Sequence, residues 1–592
     1  MGATDAARRA EGSAEDLTHV LRVVPDVTGI DKTFDYVASD PNSDVPIGSI
    51  VRVVLNGRRV DAWVVELVPD ASQAPDYDLK PIEAVLSVGP DPEVVDLARW
   101  AARRFAGPMR AVLRVASPPK RVKRLVTNVA GRTVGRGDSE EAVDALVDLG
   151  GGVVVWPPSR PLRRVVESAL RAGRTIIVCP GVAQARGVGL ALRREGLSVA
   201  IMPDDWQRAA EGVDVVVGAR SAVWAPCPGL AAIVVVDEHD ERHQEERAPT
   251  WHVRDVAIER TRRAGAACFL ISPLPTVSAI EWAGAQRTVS PAARQGDWPR
   301  IVAVDPYSGG SEDDAPTSGL LSSTLIEQLR RPDTVVACIL NVKGRARLVA
   351  CRSCREIARC ELCGSAMTLD AHLECRACGH VRPVVCTRCG SGSVSLLRKG
   401  VARMAEEIRA ASGRAVHEVT AEADTPGNRE AGVYVGTEAL LHRLNGADVV
   451  AFLDFDNELF APTYRAGEHA WTLLVLAARA LRGSADPLVI LQTADSAGGA
   501  IAPFLAPDPV AYLAVETETR RRFGFPPFAR MARVTGDESL AGVLAAVPLG
   551  VDVSSGQGGA WLVRGTDDEA FENFCADLRA ARARVHVDPL RY

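Results

Sequence analysis

Eight of the thirteen cysteines lie within 39 residues and form four Cys-x-x-Cys pairs. The pairs are Cys351 and Cys354, Cys360 and Cys363, Cys375 and Cys378, and Cys386 and Cys389. Because two such pairs complete a tetrahedral four-cysteine zinc site, four pairs predict two sites. Disulfides are disfavoured in an intracellular chain, and a redox dithiol needs only one pair. All-thiolate sites have no open coordination position, so the predicted Zn²⁺ ions hold a fold and do not catalyse.

The segment AIVVVDEHDERH, residues 232–243, is a second candidate for chemistry. A nucleotide-hydrolysing site presents its magnesium-binding and water-aligning carboxylates in this way, on an apolar strand that ends in two acids, here Asp237 and Glu238. The same segment places His239 and His243 at the spacing of a zinc protease. Asp240 stands where that site needs a general-base glutamate, so a zinc protease is not predicted.

A nucleotide site also needs a phosphate-binding loop of the form GxxxxGK[ST] after the first strand of its domain. Residues 150–164 read GGGVVVWPPSRPLRR at that place. Pro157 and Pro158 stand where glycines are needed, and each proline removes an N–H donor. Arg160 takes the lysine position and Pro161 the hydroxyl position, while the glycines at 150–152 precede the predicted strand. The loop argues against bound ATP and Mg²⁺, and no catalytic residue is assigned.

Residues 19–67 are predicted to form a small β domain with strands in HVLRVV, KTFDYVA, SIVRVVL and VDAWVVELV. Asn56 and Gly57 separate the last two strands and predict a tight hairpin. A helix is predicted at 92–105, since a proline begins a run of periodic apolar residues. Residues 118–141 are rich in glycine, proline and charge and are predicted to be a linker.

From Gly150 onward, apolar strands alternate with helices, which predicts doubly wound α/β units. Two lobes are predicted, with the cysteine segment inserted into the second and a polar break near 306–319 between them. The strands predicted for the first lobe are 153–156, 175–179, 213–218, 232–237 and 266–272, and those for the second are 334–340, 432–436, 448–454 and 487–493.

The composition sets the outer limits of these predictions. The 592 residues allow several domains, and the net charge of −6 excludes a wholly basic coat for nucleic acid but not local basic surfaces. No run approaches the ~18 apolar residues of a membrane helix, and the N-terminus lacks the apolar core of a signal peptide. We therefore predict a cytoplasmic protein with no membrane partner.

Several segments occur in the order typical of one family. They are KTFDY, IGSIVRVVLNG, GARSAVWAP, VVVDEHD, the eight-cysteine insert after LNVKG, GTEAL, LDFDNELFAPTYRAGEHA and FGFPPFARMARV. From about residue 19 to 592 the chain resembles primosomal protein N′, the PriA replication-restart helicase family. The resemblance implies a multidomain α/β fold with a small N-terminal β domain, two RecA-like helicase lobes, a zinc module in the second lobe and a C-terminal α+β domain.

The implied domain boundaries follow from the same alignment of motifs. They are a disordered tail at 1–16, a 3′-DNA-end-binding β domain at 17–110, a linker or vestigial winged helix at 111–148, a first lobe at 149–295, a second lobe at 296–350 and 391–496, the double four-cysteine module at 351–390, and a C-terminal domain at 497–592.

The resemblance implies a protein that recognises stalled or abandoned replication forks and promotes primosome assembly and reloading of the replicative helicase. The implied partners are forked and single-stranded DNA, primosome proteins, single-stranded-DNA-binding protein, and the helicase loader or replicative helicase. The implied location is the cytoplasm, in association with the nucleoid.

The resemblance also implies roles for individual residues. The zinc pairing is nested, with Cys351, Cys354, Cys386 and Cys389 on one ion and Cys360, Cys363, Cys375 and Cys378 on the other. The DNA 3′ end is held by Phe34, Asp35, Gly57 and Lys80, where a ring can stack on a base, a carboxylate can accept from a hydroxyl and a lysine can meet phosphate. The alternative is that Phe34 belongs to the strand core and Lys80 is only an exposed charge.

Several motifs depart from the family at the nucleotide site. Val236 stands at the magnesium-holding aspartate of DEEH and Asp237 at the following glutamate, and the arginine-finger segment retains only Arg479 and Arg482. Together with Arg160 and Glu238, these residues make a degenerate nucleotide site, in which the two acids close the strand end as solvated or capped charges. Three functions stay open: a fork-binding scaffold without helicase activity, an active DNA-dependent ATPase and 3′-to-5′ helicase with an unorthodox site, and a zinc-module protein that binds only proteins.

Overall fold

The computed structural model describes most of the chain outside its N-terminal tail. The described residues are 20–38, 45–68, 79–126, 141–306, 320–341, 349–354, 356–362, 364, 366–369, 371–375, 378–396, 401–419, 431–444, 446–461, 463–555 and 559–589. The predicted tail at 1–16, most of the predicted linker and most of the polar break near 306–319 lie outside them. Within the described residues, no helix is long and apolar enough to cross a membrane.

Five strands near the N-terminus form one antiparallel sheet in the order β2-β1-β4-β3-β5. They are β1 Val20–Pro25, β2 Phe34–Val37, β3 Ile50–Leu55, β4 Arg58–Val68 and β5 Ala84–Ser87. The predicted hairpin is confirmed, since Leu55 pairs with Arg58 and both turn residues have positive φ, 49° at Asn56 and 77° at Gly57. The sheet closes into a barrel because the backbone N–H of Val37 donates to the carbonyl of Lys80 at 3.1 Å.

Two helices, α1 Pro92–Arg104 and α2 Met109–Ala116, connect the barrel to the first lobe. Helix α1 begins with its proline in the first turn, as predicted. Apolar residues of both helices share one buried cluster with one face of the first lobe and with the C-terminal domain. The N-terminal domain is therefore packed against the rest of the molecule.

The first lobe is a seven-stranded parallel sheet in the order β12-β6-β11-β10-β7-β9-β8. Its elements are α3 Glu141–Asp148, β6 Gly151–Val155, α4 Arg163–Leu170, β7 Arg174–Val178, α5 Val182–Arg194, β8 Val199–Ile201, α6 Trp206–Glu211, β9 Val215–Gly218, β10 Leu230–Val236, α7 Val253–Ala264, β11 Ala267–Ser272, α8 Val277–Ala283 and β12 Thr288–Val289. The five predicted strands are present at the centre of this sheet.

Two glycines expected before the first strand lie inside β6. A Cβ atom added at Gly151 would come within 2.0 Å of the Cys268 carbonyl oxygen, and one at Gly152 within 2.1 Å of the Arg287 carbonyl oxygen. The expectation that they precede the strand is wrong for these two. Their role is to allow close approach of neighbouring backbone.

The second lobe is a six-stranded parallel sheet in the order β13-β23-β22-β14-β21-β20. Its elements are β13 Arg300–Val304, α9 Ser323–Arg330, β14 Val335–Ile339, the inserted strands β15 Val349–Cys351, β16 Thr368–Leu369, β17 Leu373–Glu374, β18 Val381–Arg382 and β19 Val394–Leu396, and then α10 Val401–Ser412, β20 Val416–Val419, β21 Gly432–Gly436, α11 Ala439–Arg443, β22 Val449–Phe452, α12 Asp456–Leu459, α13 Ala466–Ala480 and β23 Leu488–Gln492. The inserted module leaves the sheet after β14, and the pairing of β15 with β19 closes its base.

The described C-terminal residues form four α-helices and a four-stranded antiparallel sheet in the order β25-β26-β24-β27. The elements are α14 Ala502–Leu505, α15 Pro509–Phe523, β24 Arg530–Thr535, α16 Ala541–Ala545, β25 Val551–Ser555, β26 Trp561–Gly565, α17 Asp568–Ala580 and β27 Arg584–Val587. Helix α17 covers the sheet with buried Phe571, Phe574 and Leu578.

Candidate functional site

The loop between β6 and α4 occupies the place of a phosphate-binding loop, but its donors are already used or missing. Prolines at 157, 158 and 161 have no backbone N–H, and the N–H of Arg160 donates to the Pro157 carbonyl at 3.2 Å. A phosphate cradle requires successive N–H groups that point to one centre. The described loop therefore does not form that cradle.

The Arg160 side chain is bound within the protein. Its guanidinium donates to both carboxylate oxygens of Asp297 at 2.6 Å and to the Ala292 carbonyl at 2.6 Å. Burial raises the pKa of the Asp297 carboxyl, but the hydrogen bonds from Arg160 and the Arg294 backbone outweigh it and lower the pKa overall. Arg160 thus ties the loop to the segment between the lobes.

Asp237, at the end of β10, forms an ion pair with Arg479 in the last turn of α13. One guanidinium nitrogen lies 2.8 Å from the carboxylate, and a second donates to its other oxygen. The Asp237 side chain is only 1% exposed. Burial alone would raise the pKa of Asp237, but the adjacent Arg479 lowers it overall, so the carboxyl stays ionised.

Glu238 is fully buried in a different set of contacts within the first lobe. It accepts from Arg254 at 2.9 Å, from the Thr276 hydroxyl at 2.7 Å and from the Thr276 N–H at 3.0 Å. Thr276 in turn caps the N-terminus of α8. Both acids are buried and carry specific partners, so the solvated alternative of the two predicted for them, solvated or capped charges, is wrong.

The two histidines of HDERH point to separate partners. His239 Nδ1 lies 2.7 Å from the Ser272 hydroxyl, and His243 Nε2 lies 2.8 Å from the Val236 carbonyl. Burial lowers the pKa of both imidazoles. They are not grouped as metal ligands among the described residues.

No site role was predicted from the sequence for the acidic segment after β22, residues 454–458 of the second lobe. Asp456 accepts from the Thr493 hydroxyl at 2.6 Å, and Glu458 accepts from the Asn341 amide at 2.8 Å. Burial raises the pKa of the Asp454 carboxyl to about 7, and the nearby Asp456 carboxylate adds to the increase. Three acids within five residues, DFDNE, are a sequence signal that could have drawn attention to it.

The cysteine module brings seven of its eight cysteines into two groups, and Cys363 lies outside the described residues. Cys351, Cys354, Cys386 and Cys389 form one group, and Cys360, Cys375 and Cys378 form the other. The sulfur atoms of Cys351 and Cys389, of Cys354 and Cys386, and of Cys360 and Cys378 are each 3.5 Å apart. Zn–S bonds of ~2.3 Å in a tetrahedron place sulfurs ~3.8 Å apart, so the first group fits a metal ion and the second supplies three ligands.

The module is attached to the second lobe through Arg359. Its guanidinium lies 3.7 Å from the centre of the Phe460 ring and donates to Asp495 at 3.0 Å. The N–H of Ala366 donates to the Phe460 carbonyl at 3.2 Å. Phe460 directly follows α12, so the module contacts the segment that carries Asp456 and Glu458.

The barrel residues singled out for the 3′ end lie in two places. Phe34 and Asp35 lie on β2, and Lys80 is exposed beside the end of that strand. Asp35 accepts from Arg22 at 3.0 and 3.3 Å, and this hydrogen bond raises the pKa of Arg22. Phe34 is half-buried against the barrel core, with the Lys32 ammonium 5.2 Å above its ring.

Gly57 lies at the exposed tip of the β3–β4 hairpin, and a Cβ atom there would meet nothing within 4 Å. The hairpin is joined to the Lys80 segment by an ion pair between Arg59 and Glu83 at 2.9 Å. Sequence reasoning missed Arg22, because its partner is thirteen residues away on a neighbouring strand and only the strand register brings Arg22 opposite Asp35.

The fold is that of a multidomain α/β protein with two parallel helicase-like sheets, a small β barrel and a cysteine module. Residues 22–118 match the family model described as the 3′ DNA-binding domain. The chain is 31% identical over 568 residues to the probable replication restart protein PriA of Mycobacterium tuberculosis, covering 86% of this chain and 85% of that protein. It belongs to the PriA replication restart protein family.

Other comparisons are more distant. Replication restart protein PriA of Bacillus subtilis is 27% identical over 382 residues, which cover 59% of this chain and 46% of that protein. A structure of S. cerevisiae Dbp5 bound to RNA and ADP BeF3 aligns with a TM-score of 0.34 and 10% identity over 65% of this chain and 94% of that chain. At that score the alignment does not bear on fold or function.

Proposed function

We propose that this protein recognises stalled or abandoned replication forks and promotes primosome assembly and replicative helicase reloading without hydrolysing ATP. The observation that carries the proposal is the state of the phosphate-loop position, which contains three prolines and an Arg160 bound to Asp297. Membership of a replication restart family supplies the biological context. The chain would then serve as a fork-binding scaffold that uses a helicase fold without its motor.

Fork recognition is assigned to the barrel. Asp35 would accept a hydrogen bond from the 3′-hydroxyl, and its two bonds from Arg22 support this role by fixing the carboxylate. Phe34 would stack on the terminal base, and exposed Lys80 would meet a phosphate. Gly57 would allow the backbone at the hairpin tip to approach the DNA.

The cysteine module would hold two structural Zn²⁺ ions, with Cys363 as the fourth ligand of the second. Its contacts with Phe460 favour a role in fixing the surface of the second lobe. Primosome proteins, single-stranded-DNA-binding protein and a helicase loader or replicative helicase are the proposed partners. The family relationship supports these partners, and no described residue is assigned to them.

The proposal is tested by ATP hydrolysis of the zinc-replete protein with and without forked DNA, beside an Asp237→Asn/Glu238→Gln variant that keeps the size of both side chains. We expect fork binding in both proteins and no turnover that depends on the two acids. DNA-stimulated hydrolysis that disappears in the variant would instead establish the alternative, an active helicase with an unorthodox site.

The 3′-end site has its own test. Asp35→Ala should weaken binding to a fork with a free 3′-hydroxyl about tenfold, and should have little effect on a 3′-phosphate fork, because one charge-assisted hydrogen bond is lost. Asp61→Ala is the matched control, since Asp61 is a half-exposed carboxylate on the same barrel that is paired with Arg52. Equal losses on both forks would remove Asp35 from the pocket.

A further inference from the structure

The two lobes are in direct contact at the place where a helicase would hold its nucleotide. Arg479 reaches from the second lobe to Asp237 of the first. Arg482, three residues later, donates to the Pro158 carbonyl in the altered phosphate loop. Because residues three apart at a helix end lie on the same side, the two arginines reach neighbouring points of one surface.

A second contact lies at the N-terminus of α8. Glu468 of α13 accepts from the N–H of Val277 at 3.1 Å and is itself paired with Arg465 at 3.0 Å and with Arg520 at 3.1 Å. Burial would raise the pKa of Glu468, but the arginines and the Val277 N–H lower it to about 2. Two separate contacts resist rotation of one lobe on the other better than a single contact does.

Burial makes the first contact, between Asp237 and Arg479, costly in free energy to break. Asp237 is 1% exposed and would lose its ion-pair partner if Arg479 moved away, keeping only a long hydrogen bond of 3.4 Å from the neutral Gln184 amide. Separation of the lobes must either hydrate this carboxylate or leave it unpaired. In a nucleotide-driven motor, bound nucleotide supplies the differential contacts that close the lobes, and its release opens them.

We propose that Asp237, Arg479 and Arg482 form an intramolecular clasp that holds the lobes in one arrangement without nucleotide. The clasp rests on the proposed function, in which no nucleotide is bound and hydrolysed between the lobes. The arginines that stand where arginine fingers would act on a phosphate instead bind a carboxylate and a carbonyl of their own chain. The lobes then present one fixed surface to DNA and partners.

The test is a distance distribution between fluorophores attached to p-acetylphenylalanine at two exposed sites, Val182 in the first lobe and Ala410 in the second. This chemistry leaves the zinc-binding cysteines unlabelled. The doubly labelled protein should show a single narrow distribution that ATP, ADP or a non-hydrolysable ATP analogue with Mg²⁺ does not change. Asp237→Asn/Arg479→Gln, which removes both charges, keeps the size of the aspartate and shortens the arginine, should raise the population of separated lobes about tenfold or more.

Arg482→Ala provides a second variant that leaves no buried charge unpaired, and it should also broaden the distribution. Arg262→Gln is the matched control, because Arg262 is an exposed arginine paired with Glu259 within one helix. Circular dichroism and zinc content establish that each variant is folded. A folded double variant with the parental distribution, or a parental distribution that shifts with nucleotide, would overturn the clasp. ATP turnover with an unchanged distribution would contradict the proposed function and leave the clasp standing.

Discussion

Arg160 and Asp297 form a buried ion pair with two hydrogen bonds of 2.6 Å, which anchors the altered phosphate loop to the segment between the lobes. The arginine side chain is 9% exposed and the aspartate 11%. A third hydrogen bond from Arg160 reaches the Ala292 carbonyl. Arg160 occupies the position of the phosphate-binding lysine of a helicase. Here it connects the loop after β6 to the segment between the two lobes.

Arg160→Met should therefore destabilise the first lobe by about 3–5 kcal/mol, because it leaves the Asp297 carboxylate buried without its partner. Thermal unfolding monitored at the first-lobe transition measures the effect. Arg163→Met is the control, since Arg163 is 68% exposed and its pair with Glu167 should contribute less than about 1 kcal/mol. Equal shifts of the unfolding temperature in the two variants would mean that the buried Arg160 pair stabilises the lobe no more than the exposed Arg163 pair does.

Zinc stoichiometry should follow the nested groups of cysteines. We expect two Zn²⁺ per chain by elemental analysis, and one in either Cys351→Ala or Cys375→Ala. Cys351→Ala/Cys386→Ala should still retain one ion because both ligands belong to one group, whereas Cys351→Ala/Cys375→Ala should retain none.

Cys227→Ala is the control for the zinc series, because Cys227 is buried in the first lobe, away from both groups. It should retain two ions. One ion in the unchanged protein, or loss of both ions from Cys351→Ala/Cys386→Ala in a folded protein, would contradict the nested pairing.

The pKa of Asp454, raised by burial to about 7, predicts a pH dependence in the second lobe. In the unfolded chain an aspartate titrates near pH ~3.9, so the folded state binds this proton more tightly. The contribution of Asp454 to stability is then complete below about pH 4 and is lost as the pH rises through about 7. Asp454→Asn should remove this loss.

Hydrogen exchange of the β22 amides between pH 5 and 8 measures the effect, after correction for the intrinsic exchange rate. The variant should be more protected than the parent at pH 8, by about 1–3 kcal/mol of opening free energy. Asp486→Asn, at an exposed site with 73% exposure, should behave like the parent. Parallel pH profiles of β22 amide exchange in the parent and in Asp454→Asn would disprove the raised pKa of Asp454.

Arg359 is expected to hold the cysteine module on the second lobe. Arg359→Ala removes the contact with the Phe460 ring and the hydrogen bond to Asp495. It should weaken the packing of the module on the second lobe by about 1–2 kcal/mol. Faster hydrogen exchange at Ala366, with zinc content unchanged, is the expected readout. Arg388→Ala removes an exposed pair within the module and serves as the control. If both variants exchange alike, Arg359 does not attach the module.

Within the two parallel sheets, the strands that the sequence did not predict lie at the edges. Strands β8 and β12 are the two edges of the first sheet, and β13 and β20 are the two edges of the second. Central strands such as β10 are buried on both faces and appear as continuous apolar runs. Edge strands are shorter or more polar, as in Val416–Val419 with the sequence VHEV, and local pattern does not separate them from loops.

The amino-acid sequence by itself determined the features that depend on neighbours along the chain. The Cys-x-x-Cys spacing predicts metal sites, Asn56 and Gly57 specify a hairpin, and prolines at 157 and 158 remove the donors that a phosphate loop needs. Each of these follows from the covalent geometry of a few consecutive residues.

Only the tertiary structure decided which charges meet. Asp237 and Arg479 are 242 positions apart and Arg160 and Asp297 are 137 apart, and no local pattern pairs them. The sequence identified Asp237, Arg479 and Arg160 as remnants of a nucleotide site and left Asp297 unassigned. It left open whether Asp237 and Glu238 were solvated or capped. A charge takes the partner that packing brings within hydrogen-bond distance, so its role depends on which distant segments fold against it.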